Sequence, residues 1–224
     1  MRQKSVKTLT IAIALMILIH LGAIAKQENK KILERKISFI LIQENSISNI
    51  GHSLSDTLQI PVGVIGAFSI KEADIKIKLE MKNATVKSIL NNITKQARSY
   101  KWDIENDVII FRPIYPPDAF LEKLLEVKYD EFLIKENVST VSLKSSLIET
   151  DKAKKIISDY NASTLTGLLL SGDQRCLGKC DFNAKLVNVT LKEVLIHIAK
   201  YSGNLSWSVS EVIRDRQIFF NINL

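Results

Sequence analysis

Cysteine, histidine, proline and glycine are all scarce in this chain, at two, three, four and eight residues. Two cysteines cannot build a multi-bridge scaffold. With no histidine near them in sequence, they cannot complete a four-ligand zinc site locally either. The glycines form neither a G-x-x-x-x-G-K phosphate cradle nor a G-x-S-x-G nucleophile turn, and the histidines do not form H-E-x-x-H. No catalytic residue, cofactor-binding residue or metal ligand is assigned, and no cofactor is expected. Charge of one sign is not concentrated. The formal net charge of +7 falls to +4 once Arg2, Lys4 and Lys7 are set aside, and the remaining charges are scattered. That is not the basic stripe of a nucleic-acid binder, so no nucleic-acid partner is expected. Gly63-Val-Ile-Gly66 has the spacing of an RNA-clamping loop but no Lys or Arg between its glycines.

One long apolar run is present, at residues 11–19, behind Arg2, Lys4 and Lys7 and ahead of Ala23-Ile24-Ala25. A basic start, an apolar middle and a small-x-small end are the parts of a secretory signal peptide. Residues 1–25 are read as that leader, cleaved after Ala25; the alternative is an uncleaved anchor, the only membrane contact expected. Either reading puts the body of the protein outside the cytoplasm, periplasmic or secreted. The rest, with 25% charged and 46% apolar residues overall, has an ordinary globular composition.

What the chain does have is a segment used twice. Asn83, Thr85, Lys87, Leu90, Ile93, Lys95 and Trp102 recur without a gap as Asn188, Thr190, Lys192, Leu195, Ile198, Lys200 and Trp207, a constant shift of 105. Shared Lys and Asn could follow from composition, but the chain has only two tryptophans and both fall at the same phase.

Around each copy the periodicities give the same plan. In residues 36–113, an apolar strand at 37–43 leads to a helix with Ile47, Ile50, Leu54 and Leu58 on one face, capped by Asn45 or Ser46. Pro61 breaks it, and 62–67 is a short buried strand. Ile75-Lys-Ile-Lys-Leu-Glu-Met81 alternates as a half-buried strand does. A helix starting at Thr85 follows, then a hairpin turning at Asn106-Asp107. Pro113, Pro116 and Pro117 mark a boundary, after which Phe120, Leu121, Leu124 and Leu125 form a short helix. Residues 118–224 repeat the plan more loosely: a strand at 131–135, a helix carrying Val138, Val141, Leu147 and Ile148, and an apolar run at 164–170. Then come an alternating strand with Phe182, Ala184 and Leu186, a capping box at Thr190-Leu-Lys-Glu193, and a final hairpin. The expected fold class is α+β: two tandem small β-α-β-β-α-β-β modules, each a mixed sheet packed on helices. Trp102 and Trp207 are expected to point inward as core anchors, each worth about 3–5 kcal/mol on truncation to Ala.

Cys176 and Cys180, in Cys-Leu-Gly-Lys-Cys, are the disulfide candidate of an exported loop, with free thiols as the alternative. His52 and His197 read as helix-edge histidines, since no ordered catalytic partner is identified. Asp103 and Glu105 read as a solvated strand face, because the second copy has Ser208 and Ser210 there. The sequons at Asn83 and Asn188 read as helix caps.

Residues 37–113 resemble the short N-terminal domain shared by secretins and TonB-dependent outer-membrane transducers (STN-like). The resemblance lies in Ile37-Ser-Phe-Ile-Leu-Ile, in the helix through Ile50 and Leu54, and in Ile75-Lys-Ile-Lys-Leu-Glu-Met-Lys-Asn-Ala-Thr-Val-Lys-Ser-Ile-Leu. It ends with Tyr100-Lys-Trp-Asp-Ile and Val108-Ile-Ile-Phe. Residues 127–224 look like a divergent second copy. The resemblance implies an envelope domain that docks protein partners and has no catalytic residues; no secretin pore or outer-membrane barrel sequence follows. The function expected is therefore a non-catalytic protein–protein docking module of the envelope, linked to secretion or outer-membrane transport. Binding of cell-wall or other anionic polymers is the alternative, and an enzyme of unknown class the third.

Overall fold

The structure, a computed structural model, describes residues 29–68, 75–114, 119–164, 182–201, 206–214 and 217–224. Residues 29–34 are helical. The first half then runs β1 (Lys36–Ser46), α1 (Ile47–Leu58), β2 (Val62–Phe68), β3 (Lys76–Thr85), α2 (Val86–Gln96), β4 (Tyr100–Glu105) and β5 (Val108–Pro113). The second half runs α3 (Ala119–Leu125), β6 (Lys128–Ile134), α4 (Thr140–Ile148), α5 (Asp151–Asp159), β7 (Ala162–Thr164), β8 (Ala184–Thr190), α6 (Leu191–Tyr201), β9 (Ser206–Arg214) and β10 (Gln217–Asn223). The fold is α+β, a mixed sheet packed with helices.

Local chemistry explains these elements. The α1 stripe of Ile47, Ile50, Leu54 and Leu58 lies at three- and four-residue steps and is buried. Ser46 occupies the N-cap without a side-chain cap bond. At α2 the Thr85 hydroxyl accepts from Ser88 N–H at 3.2 Å. At α6 the capping box is complete: Thr190 N–H donates to Glu193 Oε2 at 2.7 Å, and Glu193 N–H donates to Thr190 Oγ1 at 3.2 Å. Asn83 and Asn188 do not cap. Both have left-handed backbones, φ 49° and 54°, a conformation asparagine tolerates better than most residues, so the repeated Asn serves a bend and the repeated Thr the cap.

The helix expected around Val138–Ile148 is α4, and a second helix that was not expected, α5, follows it. Thr150 caps α5, its hydroxyl accepting from Ala153 N–H at 3.2 Å. Leu143 and Leu147, four residues apart, set the buried face of α4, leaving Val141 exposed.

The strand pairings of the two halves correspond. β1 and β3 are antiparallel, with Ile40 opposite Met81 and Ile42 opposite Leu79. β6 and β8 are antiparallel, with Phe132 opposite Leu186 and Ile134 opposite Ala184. The repeat shift carries Met81 to Leu186 and Leu79 to Ala184. β4 and β5 form a hairpin with β2 parallel to β5; β9 and β10 form a hairpin with β7 parallel to β10.

Separate mixed sheets were expected, one per half. Instead β2 pairs in parallel with β9, giving one sheet of order β4-β5-β2-β9-β10-β7. The reason is visible in β2 and β5. Val62, Val64, Ile109 and Phe111 pack into a core with α1 and α2, while Ile65, Val108 and Ile110, on the opposite sheet face, join the core of the second half. Strands buried on both faces read as unbroken apolar runs, as Val108-Ile-Ile-Phe111 does.

Candidate functional site

The two tryptophans have different surroundings. Trp207 is 1% exposed, on a strand paired along both edges, and its indole covers Gly63, its register partner across β2 and β9. Trp102 is only half-buried, because β4 ends the sheet among the described residues. Its Nε1–H donates to Asn91 Oδ1 of α2 at 3.0 Å. Trp102 packs against the first core from its margin.

Glu105 is not a solvated strand residue. Its carboxylate lies between Arg112, which hydrogen-bonds it, and Lys192 of α6 at 3.2 Å. Burial pushes the Glu105 carboxyl up, but the Arg112 and Lys192 contacts together outweigh it and hold the group below its ordinary range. Two turns along α6, Lys200 Nζ reaches Asp107 Oδ2 at 2.7 Å. One helix of the second half thus holds the β4–β5 hairpin of the first at two points. Asp103 stays exposed, 3.8 Å from Arg112. Lys192 and Lys200 were missed as partners because they lie far from Glu105 and Asp107 in the chain; the repeated lysines were the one available signal.

His52 does more than edge a helix. Its Nδ1 and Ser206 Oγ share a hydrogen bond of 2.5 Å, tying α1 to β9. His197 sits among rings, 4.6 Å from Tyr201 and 5.8 Å from Phe182. Burial, and then the Lys200 charge, lower its pKa.

Beside the seam is a cleft of ≈ 580 Å³ with Lys101, Arg112, Lys123 and Lys192 on its walls, opposed by Glu122 and Glu126. Mixed charge of this kind can hold a polar or ionic group. Among the described residues, no group of His, Cys, Asp and Glu is placed to hold a metal ion.

The outer faces of the two small ribbons carry apolar side chains in water. Phe39 and Leu41 on β1 are 47% and 46% exposed; Leu133 on β6 and Val187 on β8 are 52% and 54% exposed. The ribbon registers make Leu41 and Leu133 equivalent. Cys176, Cys180 and the expected leader at residues 1–25 lie outside the described residues, as does most of the apolar run at 164–170. No described helix is long and apolar enough to cross a membrane. Compared with known proteins, the chain matches no family model, no curated protein and no solved structure.

Proposed function

We propose that this protein is a non-catalytic docking module of the cell envelope, exported by its N-terminal leader, that binds a partner protein through exposed strand edges. The observation that carries the reading is the shared sheet. It ends at β4 and β7, each with one edge on which no strand lies among the described residues. Backbone N–H and C=O groups along such an edge are a template for strand addition. The exposed apolar residues of the ribbons extend the surface available to a partner. The resemblance to the secretin and TonB-transducer N-terminal domain supports the same reading, with secretion or outer-membrane transport as the process served.

Photocross-linking from exposed positions on β4 and on the β1 ribbon, in cells that make this protein natively, is expected to give a discrete adduct with an envelope protein. Persistent absence of any adduct removes the docking reading. Salt-sensitive co-sedimentation with purified cell wall would replace it with binding of an anionic polymer.

A further inference from the structure

One stretch breaks the even scatter of charge. From Met81 to Trp102 the chain has five basic residues, Lys82, Lys87, Lys95, Arg98 and Lys101, and no acidic one. Three of them meet at a shallow pocket of ≈ 400 Å³ where the end of α2 reaches β4. Lys95, Arg98 and Lys101 line it together with Asn91, Trp102 and Ile114. Each of these cations is exposed, and none has a carboxylate within ion-pair distance among the described residues. Lys95 lies in the last turn of α2, where it answers the helix dipole. Arg98 and Lys101 lie beyond that turn and have no such use. Asn91 adds to the donors. An indole N–H can only donate, so its 3.0 Å bond fixes the Asn91 amide with Oδ1 toward Trp102. The Asn91 NH2 group is left to donate elsewhere. The rim thus offers N–H donors and positive charge beside the half-buried Trp102 ring and Ile114, which is 50% exposed. Exposure at a sheet edge explains polar residues here, but not their uniform sign. The repeat replaces Asn91 by Ile196, Thr94 by Ala199 and Lys101 by Ser206, all buried, so the cluster of donors belongs to the first half alone.

We propose that this pocket binds the phosphate ester of a sugar or polyol. The phosphate sits among Lys95, Arg98, Lys101 and the Asn91 amide, and the sugar or polyol body covers the exposed part of the Trp102 ring. A phosphate fits this rim because its oxygens only accept, and because a guanidinium matches its geometry with two parallel hydrogen bonds. A monoester also carries close to two negative charges at neutral pH, where a lone carboxylate brings one to three cations. The indole gives the C–H face of the body an apolar surface to lie on. The volume is within the range of small-molecule sites, about 300–1,000 Å³. The larger cleft across the sheet edge is a poorer choice, since Glu122 and Glu126 on its walls repel an anion. A free ester and a lipid headgroup share this chemistry, and the test separates the two sources. The inference goes beyond docking at strand edges and does not depend on it.

The test is a titration of the full chain with glycerol 3-phosphate and glucose 6-phosphate, read by tryptophan fluorescence and by calorimetry. Trp207 is 1% exposed, so a change in emission reads Trp102. Both esters are expected to give saturable changes, and glycerol and glucose none. Lys95→Gln and Arg98→Gln should each weaken binding at least about tenfold, the scale of one charge-assisted hydrogen bond. Asn91→Asp is the sharper variant. Its carboxylate can still accept the Trp102 N–H but replaces a donor by a negative charge, so the unfolding midpoint should hold while affinity falls at least about tenfold. Lys135→Gln, which removes an exposed charge from the second half, should leave affinity unchanged. No saturable change at millimolar ester, an equal response to glucose, or an equal loss in Lys135→Gln would overturn the site. Inorganic phosphate binding as tightly as the esters would overturn the place given to Trp102. Phosphatidylglycerol vesicles that compete with glycerol 3-phosphate, and stop competing in Arg98→Gln, would assign the ester to a lipid headgroup; failure to compete would assign it to a free molecule. Failure of the site leaves the strand edges open to a partner, and absence of an envelope adduct leaves the site standing.

Discussion

Trp207 lies so close over Gly63 that a Cβ at that glycine would stand 2.4 Å from ring atoms Cε2 and Cζ2. The joint between the halves depends on this contact, since Gly63 and Trp207 are opposite each other across β2 and β9. Gly63→Ala is expected to cost about 1–3 kcal/mol by overpacking, and Trp207→Ala about 3–5 kcal/mol. In the Trp207→Ala background the alanine at position 63 should cost little. A denaturant-unfolding cycle with additive losses would show that the two residues do not meet.

Trp102→Ala is expected to cost about 1–2 kcal/mol, well below its counterpart, because a half-buried side chain loses less transfer energy and leaves a smaller cavity. Equal shifts in denaturant midpoint for the two tryptophan variants would contradict the edge position of β4.

Glu105 gives the seam an acid limit. Its folded pKa lies below the ordinary 4.5, so its contribution is complete above that pH and is lost as pH falls through the folded value. Glu105→Gln should lower stability at pH 7 and flatten its decline below 4.5. Parallel pH–stability curves for the two proteins would remove Glu105 from the account.

His197 acts in the neighbouring range. Its folded pKa is lowered from 6.5 by burial and Lys200, so folding favours the neutral ring. Stability is full above 6.5 and declines as pH falls from there toward the folded pKa. His197→Gln should remove that part of the slope, read as melting temperature against pH between the two regimes.

The Tyr129 hydroxyl donates to the Leu147 carbonyl at 2.5 Å, and burial raises its pKa. Tyr129→Phe leaves that carbonyl without this donor and should cost about 1–3 kcal/mol. A stability change within error would mean that water replaces the hydroxyl.

The elements were legible because their signals are local. Alternation in Ile75–Met81, the three- and four-residue steps of α1, and Thr190 with Glu193 each lie within one turn or a few strand residues. The shared sheet was not legible, because pairing of β2 with β9 has no periodic signature. Gly63 belongs in sequence to an accidental-looking G-x-x-G, and only Trp207 above it explains the residue. Glu105 looked solvated because its strand position alternates outward, while the helix that covers it comes from the other half. α5 was not legible because a polar stretch with Ala153 as its one buried residue gives little apolar periodicity, although Thr150 is a cap signal.

Ile65, Val108 and Ile110 belong to one half by sequence and to the other by packing. Neither half can therefore melt or be removed without uncovering apolar surface on its neighbour. A chain nicked between residues 114 and 119 should stay a single particle and unfold in one transition, its covalent linker unnecessary once the two pieces have assembled.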